Sequence, residues 1–285
     1  MSIEDKQGSA GMDDLYSLLK SKLNTVEIEG NTLYVAEGDT LLDLDQLRIY
    51  ADVREQEIKT QEARNRADEA GFGATRLDEA PRGLIASTKN GKIVRWKPGA
   101  VLTYRVARDS FGSDAQYQLV VSSMHEATKA WEQTCGVNFE HRQVLDTRPG
   151  MGLEGLLFVV RAFDAGGKFI ASSFFPSDPV ERRRVLIDPS YFTTSFDKVG
   201  VLRHELGHVL GFRHEHIRNE APPVCPNEPL WDTKVLTMYD PTSVMHYFCG
   251  GVGSNELKIS ALDRKGAQQV YGPPLAAAAL VEAEA

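Results

Sequence analysis

Residues 204–214 read His-Glu-Leu-Gly-His-Val-Leu-Gly-Phe-Arg-His, and no other stretch constrains the chain as tightly. Histidines four apart lie one turn apart on one face of a helix, so His204 and His208 can offer two nitrogens to one metal ion. Gly211 can take the positive φ that ends a helix and turns the chain, which returns His214 as a third nitrogen ligand. Three such ligands leave a position for water, the arrangement of a catalytic zinc site rather than a structural one. Glu205 directly follows the first ligand, so its carboxylate can stand beside that water as general base without ligating. The competing explanation is that helix-surface and core histidines happen to fall in step. With 7 histidines and 24 glycines in 285 residues, random placement gives on the order of 10⁻⁵ matches to the five fixed positions. One catalytic Zn²⁺ is therefore expected.

Composition bounds the rest. Apolar residues make up 42% and charged residues 25%, which is ordinary for a globular chain able to bury a core. The net charge of -8 is uneven, because residues 1–90 carry 18 acids and 11 bases while residues 91–285 carry 22 and 21. Arg182, Arg183 and Arg184 form the only short basic run, read as solvated, so no nucleic-acid partner is expected. The opening MSIEDKQGSAGMDDLYSLL lacks the basic and apolar regions of a secretory signal peptide, and no run approaches a membrane span. The expectation is a soluble protein, cytoplasmic or exported by another route, with its oligomeric state open. Three cysteines permit at most one internal disulfide; Cys225 and Cys249 share one segment and either pair or stay free, and Cys135 reads as a buried small hydrophobe.

Along the chain, Leu15, Leu18, Leu19 and Leu23 fall at helical intervals, and VEIEGNTLYVAEGD alternates like a hairpin around Gly30-Asn31. The polar stretch LDLDQLRIYADVREQEIKTQEARNRADEAG reads as an exposed helix, and Gly71, Gly73, Pro81 and Gly83 then break the pattern. Strand signals thicken from Ile93, which puts a boundary near residue 90. Beyond it VLTYRV, VNFEHR, LLFVVRAF, KFIASSFFP and RRVLIDP read as strands, while YQLVVSSMHEATKAWEQTCG, DKVGVLRHELGHVLGF and ALDRKGAQQVYG read as helices. Strands around two helices predict an α+β domain with a twisted mixed sheet, then an irregular part rich in Pro and Gly that closes on a last helix. The expected organisation is a pro-region over 1–90, a catalytic domain over 91–275 and a tail over 276–285.

HELGHVLGFRH resembles the HExxHxxGxxH signature of the metzincin zinc proteases, and PTSVMHYFCG at residues 241–250 resembles their Met-turn. The resemblance covers roughly residues 93–274 and implies a zincin-like fold, a metalloendopeptidase and an apolar floor at Met245 beneath the metal; by spacing alone Met245 reads as core. His214-Glu215-His216-Ile217-Arg218 and the SVMHY turn are similar to the astacins, where the turn's tyrosine, matching Tyr247, can ligate zinc in the resting enzyme and swing to stabilise the oxyanion. Asn219-Glu220-Ala221-Pro222 departs from the acidic segment that follows in that family, while SSFFPSDP and ISALDRKGAQQVYGPP resemble the matrixins. The astacin resemblance also implies that Glu215 receives the new N-terminus of a processed enzyme. Glu37-Gly38-Asp39 resembles the FxGD element that sets an aspartate on zinc in astacin propeptides, with Ala36 where the aromatic stands, which makes Asp39 a candidate latency switch.

His216 and His246 fall off the ligand spacing and read as neighbours of the site or as solvated groups, and His125 and His141 read as structural. A polypeptide substrate is expected to lie extended along an edge formed by Lys168 to Phe174. Two rival readings are a zinc-holding module that recognises polypeptide without cutting it, against which Glu205 speaks, and a hydrolase of small substrates with the same chemistry.

Overall fold

The computed structural model describes residues 9–69, 84–89, 91–150, 152–153, 155–217, 221–222, 224–225 and 233–275. The breaks at residues 71–83, Arg218, Asn219, Glu220 and the end at 276–285 lie outside the described residues. The chain divides into two compact units, and the described residues up to Glu69 belong to the first and those from Leu84 onward to the second. Among the described residues no helix is long and apolar enough to cross a membrane.

The first unit runs α1 (Ser9–Lys22), β1 (Asn24–Ile28), β2 (Asn31–Ala36), β3 (Thr40–Leu42) and α2 (Leu44–Glu69). Its strands pair antiparallel in the order β1-β2-β3. The β1–β2 turn places both Glu29 and Gly30 at positive φ, the two-residue geometry whose twist suits a hairpin. Glu37 and Gly38 repeat positive φ in the β2–β3 turn, directly before Asp39. Helix α2 starts where Asp43 and Gln46 cap it reciprocally, Gln46 N–H donating to Asp43 Oδ1 at 2.8 Å and Asp43 N–H to Gln46 Oε1 at 3.1 Å. Tyr34, Ala36, Leu42, Leu47 and Tyr50 form a small core against which Tyr16, Leu19 and Leu23 pack.

The second unit is α+β. It begins with β4 (Ile85–Lys89) and β5 (Lys92–Ile93), followed by β6 (Val101–Val106), α3 (Asp114–Glu132), β7 (Asn138–His141), β8 (Phe158–Ala162), β9 (Ala171–Ser172) and β10 (Arg184–Ile187). Then come α4 (Lys198–Val209), β11 (Phe212–Arg213), β12 (Thr233–Val235) and α5 (Ala261–Tyr271). The main sheet has the order β7-β6-β8-β10-β9; its first four strands run parallel and β9 is an antiparallel edge. Parallel strands need crossovers, and a sheet covered on its faces reads as dense apolar runs such as VLTYRV and LLFVV. Helices α3 and α4 supply Val120, Met124, Trp131, Leu202, Leu206 and Val209 to one continuous core with the sheet. A second sheet, β11-β4-β12 with β5 on β4, is wholly antiparallel.

The irregular segment after His214 is closed by a disulfide between Cys225 and Cys249, the pairing that spacing left open, and Cys135 is a buried free thiol whose burial pushes its pKa up to about 12. Asp263 ties α5 to the 243–246 turn. It caps its own helix reciprocally with Ser260, and it accepts from Ser243 Oγ at 2.6 Å and Val244 N–H at 2.8 Å. Burial pushes this carboxyl above the ordinary aspartate range, against the pull of those donors. Asp263→Ala loses the cap and strands several buried donors, so stability in urea denaturation should fall by about 2–4 kcal/mol.

Candidate metal centre

Helix α4 begins at Asp197, whose carboxylate accepts from Gly200 N–H at 2.6 Å, and it carries His204 and His208 one turn apart on its buried face. Past its C-cap Leu210 the chain turns at Gly211, which takes a φ of 93°, the left-handed conformation its position predicts. A side chain is excluded there twice over, because a Cβ would also lie 2.6 Å from the carbonyl oxygen of Val94. Two residues of β11 then lead to His214. His204, His208 and His214 each present one ligand nitrogen within 4.8 Å of the others, and all three are buried.

Their orientation is set by backbone carbonyls. His204 Nδ1 lies 2.8 Å from Val244 O, and His208 Nδ1 lies 2.8 Å from Phe212 O. A carbonyl only accepts, so each Nδ1 carries a proton, and in the neutral ring that leaves the Nε2 lone pair to face a metal. His208 Nε2 stands 3.1 Å from His214 Nε2, an approach of ring nitrogens that a shared cation reconciles. Neutral imidazoles held through their second nitrogen form the donor set zinc prefers, so the residues present fit that ion. Glu205 is buried beside the first of these ligands, with its backbone carbonyl accepting from Ser173 Oγ at 3.0 Å.

The 241–250 segment lies against this cluster. Glu215 N–H donates to Met245 O at 2.8 Å, joining the third histidine's segment to the turn. Met245 is fully buried in the core, and its sulfur faces Gly207 so closely that a Cβ on the glycine would overlap it and touch Trp131. Tyr247 sets its ring 4.5 Å from that of His214 and 5.5 Å from that of His204. His216 stacks on Tyr247 at 4.6 Å, with ring planes 19° apart. His246 is buried; its Nδ1 donates to Tyr247 O at 2.6 Å and its Nε2 accepts from the Tyr239 hydroxyl at 2.8 Å. Burial lowers the His246 pKa, which agrees with a neutral ring using one nitrogen as donor and the other as acceptor.

Asp39 belongs to the first unit, in the β2–β3 turn, where Thr40 Oγ1 donates to its carboxylate at 3.3 Å. Sequence reasoning missed Val244 and Phe212, whose carbonyls aim the ligands, and Asp263, which holds the turn. The capping pattern Ser260-x-x-Asp263 is legible as a helix start, but nothing in it announces a second use of the carboxylate.

Residues 95–221 match the family model of the matrixins, and the unit has a metzincin-like protease fold, helices with a mixed sheet. No curated protein matches the chain. Among solved structures, that of myroilysin is similar at 20% identity and a TM-score of 0.45, covering 65% of this chain and 98% of that one. High choriolytic enzyme 1, a hatching enzyme zinc-protease from the medaka fish Oryzias latipes, is similar at 16% identity and a TM-score of 0.40, covering 66% of this chain and 99% of that one.

Gly207→Ala must push Met245 aside, an overpacking expected to cost about 1–3 kcal/mol. In a double-mutant cycle with Met245→Ala, the pair should be at least about 0.5 kcal/mol less destabilised than the sum of the single variants, as measured by denaturant unfolding.

Proposed function

We propose that this chain is a zinc-dependent metalloendopeptidase of the metzincin type with astacin-like features, its one zinc held by His204, His208 and His214. One observation carries the reading: three buried imidazoles converge, two of them aimed by carbonyls, with Glu205 next in sequence to the first. The matrixin match over residues 95–221 supports it, and the SVMHY turn with His214-Glu215-His216 supports the astacin-like part.

A bound Zn²⁺ supplies Lewis acidity, polarising the scissile carbonyl and lowering the pKa of water toward about 7. Glu205 takes the proton of the attacking water and returns it to the leaving amine. Tyr247 donates its hydroxyl to the oxyanion of the tetrahedral intermediate, its ring being steadied by the stack on His216. The polypeptide substrate lies extended along the Lys168 to Phe174 segment, whose strand β9 forms the sheet edge and can accept an added strand.

Casein cleavage with and without chelator, read by mass spectrometry beside zinc content, tests this mechanism. Glu205→Ala should keep zinc and lose about 10²- to 10⁴-fold in turnover. Tyr247→Phe should keep zinc and lose roughly 10²-fold. His214→Ala should lose zinc itself. Near wild-type turnover of Glu205→Ala would overturn the assignment of the base, and zinc retained without any cleavage would leave a binding module.

The segment that sequence signals carry to about residue 90 acts, in this reading, as an inhibitory pro-region, with Asp39 as the group that occupies the open position on the metal. Its support is the acidic balance of residues 1–90 and the FxGD-like Glu37-Gly38-Asp39. Asp39→Ala in the full chain should raise casein cleavage well above wild type. Equal activity of the two chains would remove Asp39 as the switch.

A further inference from the structure

Strand β4 lies ahead of the residues in which strand signals thicken, yet it is built into the metal-bearing unit. Leu84, Ile85 and Ala86 are at most 1% exposed, and Leu84 belongs to the core that holds Trp131, Leu206 and Met245. The strand is central in its sheet. On one side it pairs with β11, Phe212 opposite Ala86 and Arg213 opposite Ile85, and on the other with β12. Ser87 N–H donates to Gly211 O at 2.8 Å, Leu84 O accepts from Leu236 N–H at 3.0 Å, and Ser87 O accepts from Val94 N–H at 2.9 Å.

Leu210, Gly211, Phe212 and Arg213 are the whole path from the end of α4 to His214, and β4 meets the last three. A glycine turn followed by a two-residue strand has no rigidity of its own; the direction in which His214 leaves it is set by what pairs with its backbone. From this geometry we infer that residues 84–89 are a positioning strap for His214, and that any cleavage releasing the metal-bearing unit falls before Leu84. The inference rests on reading His214 as a zinc ligand. A cut near residue 90 would detach the strap, leaving the buried backbone of 211–213 to seek new partners. The expendable part of the chain therefore stops short of β4, several residues ahead of the boundary that composition suggests.

Coupling is reciprocal: if β4 holds His214 ready for zinc, zinc on His214 must in turn hold β4 to β11. Hydrogen–deuterium exchange of the full wild-type chain, zinc-loaded against chelated, reads this directly. Peptides covering 84–89 should exchange at least about 10-fold more slowly with zinc, while peptides covering β7 stay unchanged. Equal slowing of both would mean general stabilisation and would overturn the strap, as would slowing confined to 204–214. A chain that takes up no zinc at all would instead sink the proposed function. Ser87→Pro, which removes the donor to Gly211, should weaken zinc binding in chelator competition by about 10- to 100-fold. The active form isolated after incubation should retain Leu84, and a zinc-retaining, casein-cleaving form that begins beyond Lys89 would also refute the strap.

Discussion

The end of α4 is the constraint on which the metal centre depends. A helix leaves its last carbonyls without intrahelical donors, and here that end is buried, so each must find a partner elsewhere in the fold. Trp96 Nε1 donates to Val209 O at 2.7 Å, the Tyr271 hydroxyl to Leu210 O at 2.7 Å, Ser87 N–H to Gly211 O at 2.8 Å, and His208 Nδ1 to Phe212 O at 2.8 Å. Four consecutive carbonyls thus draw on four separate places in the chain. Burial also raises the Tyr271 pKa, which keeps the proton on the hydroxyl that makes one of these bonds. The last of the four serves twice: the bond that satisfies Phe212 O also fixes the tautomer of a ligand.

The same economy recurs on the other side of the cluster. Val244 O orients His204, while Val244 N–H is itself held by Asp263, so the direction of a ligand on α4 traces back to the first turn of α5. Met245 O takes the Glu215 amide, and the methionine's sulfur fills the space that Gly207 leaves by lacking a side chain. Glycine at 207 thus has a packing reason, whereas Gly211 has a conformational and a steric one. A buried carboxyl such as Asp263 is an expensive way to hold a turn, and its raised pKa records that cost.

Helices α3 and α5 were legible ahead of the structure because each buries one face and exposes the other, while α4, which has no exposed residue, was legible through its histidines at i and i+4. The strands of the main sheet were legible for a related reason, since parallel strands covered on both faces read as dense apolar runs. Strand β9 was read longer than it is, because KFIASSFFP is rich in apolar residues but only Ala171 and Ser172 find ladder partners. Strand β4 escaped notice: Leu-Ile-Ala-Ser-Thr-Lys is too short to show a period, and two of its partners, β11 and β12, lie more than a hundred residues away. The cysteine pairing was undecided for the same kind of reason, since a bridge depends on the Cα separation, 5.2 Å here, and not on distance along the chain.

The amino-acid sequence by itself determined which residues could meet a metal: histidines at i and i+4, a glycine able to reverse the chain, and a third histidine three residues on, all local relations that backbone geometry converts into positions. It also determined the chemistry available there, because the residue types set the donor atoms and the nearby carboxylate. Only the tertiary structure decided where those donors point. His204 is aimed by a carbonyl contributed from elsewhere, that of Val244, and the nearby Phe212 carbonyl that aims His208 belongs to a strand held by β4; such pairings are a property of burial: inside the protein every polar backbone group must be matched, and nothing short of the whole fold says by what.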